Sequence, residues 1–191
     1  MRKKYLIIIL ITFILCITVY SKSRSNIKYY LNSGTSIDSN AKDIMPTLND
    51  LPKYQNIKYK YTHKSMIVFE SNSVVLVVNY DDKTYKSEKD KLAKKYIFLD
   101  QKIPFNGDES KYIIPEHEFS INSYTFKVVA GNVNGKRNTQ FPKSFGMIGT
   151  SERKKSIAYL YFYDTDLDFI GRKDDKNPMA DFVKDYFNYD F

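Results

Sequence analysis

Five consecutive apolar residues, Val74-Val75-Leu76-Val77-Val78, constrain the fold more than any other stretch of the chain. Side chains along a strand alternate between its two faces, so a run that is apolar throughout needs cover on both sides. "SMIVFE", Ser65 to Glu70, precedes this run, and the Ser71-Asn72-Ser73 between them predicts a hairpin turn. Further strands are expected at "YIFLD" (Tyr96–Asp100), on either side of an Asn122-Ser123 turn in "EFSINSYTFKVV", and in "SFGMIG" and "SIAYLYFYD" around a polar turn at Ser151–Lys155. Gly131, Asn132, Asn134, Gly135 and Asn138 mark a loop.

Two stretches carry helical spacing instead. Tyr85, Leu92, Ala93 and Tyr96 fall on one face of "DDKTYKSEKDKLAKKY", with Lys86, Lys89, Asp90 and Lys94 toward water. Near the end, Met179, Phe182, Val183, Tyr186 and Phe187 make one apolar stripe behind Asn177-Pro178, a capping residue followed by proline. The stripe needs a sheet to lie on. The fold class is therefore α+β: a mainly antiparallel sheet of five to seven strands with two amphipathic helices, preceded by one N-terminal membrane helix.

That preceding helix is read from Tyr5 to Tyr20, sixteen residues without a charge behind Arg2-Lys3-Lys4. As a helix the run spans roughly 24 Å, against a hydrocarbon core of roughly 30 Å. Residues 1–20 are read as a signal-anchor that stays in place, with the basic end in the cytoplasm and the rest of the chain outside. Cleavage near Ser21, giving a secreted protein, is the alternative. Cys16, the sole cysteine, follows Leu15 rather than the small residue that lipidation would require, and it excludes an intrachain disulfide or a cysteine-based zinc site. Residues 21–42 are rich in Ser, Asn and Lys and read as a flexible linker, leaving 43–191 as a single extracytoplasmic domain.

The net charge of +8 suggests a nucleic-acid or membrane surface until it is divided along the chain. Residues 1–26 hold five bases and no acid, whereas the remainder has 25 bases against 22 acids. The domain is nearly balanced, so no nucleic-acid partner is expected.

The most chemically suggestive stretch is "YFYDTDLDFIG", which spaces Asp164, Asp166 and Asp168 two residues apart. These three are the candidate metal ligands, with Ca2+ the cation considered. An EF-hand loop numbered from Asp164 matches oxygen ligands at its first, third and fifth positions, but Phe169 stands where glycine must turn the chain and Asp175 replaces the final glutamate. The simpler reading is that cover on the even face of the strand ends near Phe162, and the aspartates beyond it point into water. A catalytic acid pair also needs carboxylates from different elements converging on a cleft.

Other candidates lack their partners. His63 and His117 are the only histidines and show no zinc-binding spacing. "SERK" (Ser151–Lys154) has the letters of a Ser-x-x-Lys nucleophile without the accompanying elements, and "GMIG" (Gly146–Gly149) lies in an apolar strand rather than between helices. The reading that follows is a non-enzymatic binding or interaction domain at the bacterial cell envelope. Its partners would be the membrane, through residues 5–20, and an envelope protein or ligand. One alternative is an envelope hydrolase or transferase using carboxylates such as Asp164, Asp166 or Glu116, with His117. The other is a structural or immunity-type protein that pairs a strand edge with its partner.

Overall fold

The computed structural model describes residues 20–30, 40–66, 68–131 and 141–191. The apolar run up to Val19, most of the expected spacer's second half and the Asn132–Asn138 loop lie outside the described residues. Seven strands form the main sheet: β1 (Tyr20–Arg24), β2 (Asn56–Met66), β3 (Phe69–Asn79), and, further along the chain, β6 (Glu118–Ile121), β7 (Tyr124–Val128), β8 (Lys143–Ser151) and β9 (Ser156–Asp164). Their order is β1-β2-β3-β9-β8-β7-β6, and every pairing is antiparallel. Three short strands, β4 (Ile103–Phe105), β5 (Asp108–Ile114) and β10 (Gly171–Arg172), make a second sheet. Among the described residues, three α-helices, α1 (Ala41–Ile44), α2 (Asp82–Lys95) and α3 (Pro178–Phe187), join these sheets in an α+β fold.

The central strands β3 and β9 are covered on both faces, as Val74–Val78 requires. Val74, Leu76 and Val78 join Ile157, Tyr159 and Tyr161 in a core closed by Ile44 of α1 and by Tyr85 and Leu92 of α2. Val75 and Val77 face the other way, into a core with Leu160, Phe162, Phe145 and Met147 that is closed by Met179, Phe182, Val183 and Phe187 of α3. Gly146 lets α1 approach β8, because a Cβ there would collide with the side chain of Ile44.

Four local expectations change. The β2–β3 turn falls after Met66, so Ser71-Asn72-Ser73 lies inside β3 rather than at a turn. Ser21–Arg24, at the start of the expected spacer, pairs along β2 from Tyr61 to Lys64, and Tyr20, the last residue of the expected anchor, pairs with Ser65. Tyr96–Asp100 contributes only an isolated bridge, Phe98 to Val129. Asn177 gives α3 no side-chain cap, being held at φ 53°; Glu116 Oε2 instead accepts from the Met179 amide at 3.1 Å. Among the described residues, no helix is long and apolar enough to cross a membrane.

Candidate functional site

Buried polar residues concentrate where α3 ends. Thr62, Ser71, Asn72, Ser73, Lys143, Ser144 and Asp164 all lie at one end of the sheet, and each is at most 9% exposed. Much of this polarity serves the helix. The last carbonyls of a helix lack intrahelical donors, and cations beside them oppose the negative end of the dipole. Lys64 Nζ donates to the Asp185 carbonyl at 2.7 Å, Ser73 Oγ to Tyr186 at 2.8 Å and Thr62 Oγ1 to Phe187 at 3.3 Å, while Lys60 Nζ donates to Asn188. On the opposite face, Asn72 Oδ1 accepts from Tyr61 Oη at 2.7 Å and lies 2.8 Å from His63 Nδ1. His63 is thereby part of a structural cluster.

The aspartate series divides at the end of β9. Asp164 is buried and sits opposite Ser71 on β3 and Lys143 on β8. Its Oδ1 accepts from the Asp166 amide at 2.7 Å, which turns the chain out of the strand. Burial pushes its carboxyl above the ordinary carboxylate range, opposed by hydrogen bonds from the Asp166 and Leu167 amides and the Ser71 hydroxyl. Asp166 and Asp168 are exposed. Burial also lowers the pKa of the Lys143 ammonium, with Asp168 acting against that shift, and its Nζ stands 4.3 Å from the centre of the Phe141 ring. Among the described residues, no three His, Cys, Asp or Glu side chains gather in a metal-holding group. Glu116 is occupied as the cap of α3, and Glu118, beside His117, pairs with Lys127 at 3.0 Å. These carboxylates do not converge with Asp164.

An open groove lies beside the Asn56–Lys60 half of β2. β1 pairs only with Tyr61–Ser65, so among the described residues the outer edge of β2 from Asn56 to Lys60 carries no strand partner. That edge borders an open groove of about 1180 Å3. Ile57, Lys58, Tyr59 and Lys60 form one wall, Ile121 and Asn122 reach it from the opposite edge of the sheet, and α3 and the segment after it supply the floor. The sheet thus curls around α3 until its two edges share one opening. Phe191 secures the floor by packing on Tyr124 and Phe126 and by accepting from Asn122 Nδ2 at 2.7 Å through its carbonyl. Burial, with Tyr124 and Asp190 nearby, pushes the Tyr189 phenol up to about 12. Lys58, Lys60 and Lys184 face Asp181 and Asp190, so the lining carries both signs.

Neither this groove nor the smaller cavities of about 320 and 380 Å3 is lined by Asp164, Asp166, Asp168, Glu116 or His117. The groove residues were not singled out as a site from the sequence, where the first strand expected begins only at Ser65. The alternation Ile57-Lys58-Tyr59-Lys60-Tyr61 is the signal that identifies a strand. Compared with known proteins, the chain matches no family model, no curated protein and no solved structure.

Proposed function

We propose that this chain is a membrane-anchored, extracytoplasmic binding domain of a bacterial envelope, which takes an extended segment of a partner protein along the free edge of β2. The observation that carries this reading is the outer edge at Asn56–Lys60, unpaired among the described residues and opening directly on this groove. An exposed strand edge offers a row of amides and carbonyls to an incoming strand, while pockets beside it select alternate side chains. Here the partly exposed Ile57 would meet one face of the added segment and Lys58 and Lys60 the other, while Tyr59 is held in the core by the Tyr30 ring. The envelope location rests on the basic, uncharged-run arrangement of residues 1–20.

The test places a photocrosslinking residue at Lys58 of the full chain in cells, with Lys86 on the water-facing side of α2 as the control. An envelope-protein adduct is expected at position 58 alone, and it disappears when Lys60→Pro removes an edge amide. Equal adducts at both positions would rule out the edge. Protease added to intact spheroplasts should digest the domain, and full protection would defeat the extracytoplasmic reading.

A further inference from the structure

Five of the eight exposed large hydrophobic side chains among the described residues gather at one end of the main sheet: Tyr20, Met66, Val68, Phe69 and Phe141. Val68 is 75% exposed, the most open of this group. Met66 and Phe69 face each other as the last pair of the β2–β3 hairpin, with Val68 in the turn beyond them. Tyr20 pairs with Ser65, one residue short of that last pair. Phe141 stands two residues before Lys143, whose strand partner is Asp164. Exposed apolar side chains gathered at one end of a sheet mark a contact surface more often than ones scattered singly do.

Where the chain enters the fold identifies that occupant. The uncharged run Tyr5–Tyr20 ends on β1, beside the hairpin tip. Adjacent strands stand about 4.8 Å apart, so a membrane segment ending at Tyr20 would bring the tip to the bilayer surface with no spacer between them. We propose that the β2–β3 tip, with Tyr20 and Phe141 at its sides, inserts into the outer leaflet of the membrane that holds the anchor. This rests on the anchored, extracytoplasmic reading above and adds to it a second, fixed contact.

The local geometry fits shallow insertion. Thr165 is held level with Glu70 by three hydrogen bonds: Glu70 N to Thr165 Oγ1 at 2.8 Å, and to the Glu70 carbonyl from Thr165 N at 3.0 Å and Thr165 Oγ1 at 3.2 Å. Asp164 then turns that chain back, whereas the hairpin continues outward from Glu70 to Val68. From the Ser71–Asp164–Lys143 row to Val68 is roughly 10 Å of strand, comparable to the roughly 5–10 Å to which amphipathic elements enter the boundary between headgroups and acyl chains. Tyrosine at position 20 suits the headgroup level. The side chains proposed to enter the leaflet carry no charge, so apolar burial drives the contact and phosphatidylcholine is the lipid to test. Docked in this way, β2 stands away from the bilayer and holds Asn56–Lys60 roughly 13–26 Å above it, counted from Lys64 in the Ser71 row, where a partner can reach the groove.

The experiment uses the full chain with Cys16→Ser, reconstituted in phosphatidylcholine vesicles and labelled with an environment-sensitive fluorophore at Val68→Cys, Phe141→Cys or, as the control, Lys86→Cys. Emission at positions 68 and 141 is expected to shift to the blue and to be quenched by spin-labelled lipid, with neither effect at position 86. Protein that floats with the vesicles but keeps a water-like label at position 68 overturns the insertion and leaves the anchor standing. Protein that fails to float overturns both. Because position 68 is an open turn, Val68→Asp tests the same contact with the label at position 141, where quenching should fall.

Discussion

Asp164 shows how one carboxylate can look like a ligand in sequence and act as a turn in three dimensions. Its oxygens are engaged by the amides that reverse the chain after β9, and its burial disfavours the charged form. Since the folded-state pKa is raised above the ordinary value of 3.8, the native state holds this proton more tightly than the unfolded chain. The stability linked to Asp164 is therefore fully present below the ordinary value and is lost as pH rises through the raised one. Asp164→Asn keeps an acceptor for the Asp166 amide and removes the charge. Urea midpoints should show the variant gaining on the natural chain as pH rises above the ordinary value of 3.8. A variant that loses ground over that rise would mean the ionised carboxylate is the favoured form. Calcium followed by EDTA should leave the thermal midpoint unchanged, because a cation would have to displace the amide donors. A site filled at 100 times its dissociation constant would instead add about 2.7 kcal/mol.

At the scale of elements, α3 depends on partners from distant parts of the chain at both ends. Glu116 accepts from its first turn, and donors on β2 and β3 meet the carbonyls of its last. Ser73→Ala leaves the Tyr186 carbonyl without that donor and should cost about 1–3 kcal/mol. Glu116→Ala should cost about 1 kcal/mol, the usual value of a lost cap. Urea denaturation of each variant measures both, and a neutral Ser73→Ala would show that water replaces the hydroxyl at no cost. These contacts explain where sequence reading stopped. The period of Met179, Phe182, Val183 and Phe187 defines α3, and Val74–Val78 defines a doubly covered strand, because both patterns are local. Ser71-Asn72-Ser73 has turn chemistry locally and is strand here because β2 and β9 pair with it on both sides, while distant partners (Asp164, Tyr61 and the Tyr186 carbonyl) take up its polar side chains. The small sheet was illegible for a related reason: β4 is three residues long, and β5 runs from charged Asp108-Glu109 to buried Ile113-Ile114 without alternation. The groove is still less local, since it joins Ile57 to Asn122 and Phe191 from three separate stretches of the chain.

For the whole molecule, the two cores share their central strands, which determines how it should unfold. Leu76 on β3 belongs to the core under α1 and α2, whereas Leu160 on β9 belongs to the core under α3, and both are fully buried. The strands that carry them pair directly over nine residue positions, from Ser71–Asp164 to Asn79–Ser156. Neither core can open without exposing the opposite face of the same two strands, so both layers should melt as one unit. Leu76→Ala and Leu160→Ala should each cost about 2–5 kcal/mol, the range for truncating a buried leucine. At roughly 2–4 °C per kcal/mol for a domain of this size, each variant should lower the midpoint by roughly 4–20 °C. Far-ultraviolet circular dichroism follows the sheet, and near-ultraviolet tyrosine signals report mainly on the core under α1 and α2, which holds Tyr30, Tyr59, Tyr80, Tyr85, Tyr96, Tyr159 and Tyr161. The two traces should stay superimposed in the natural chain and in both variants. Separation of the traces in Leu160→Ala alone would instead mean that the α3 layer can leave while the tyrosine core remains folded, and β3–β9 would then be a seam between two units rather than their common spine.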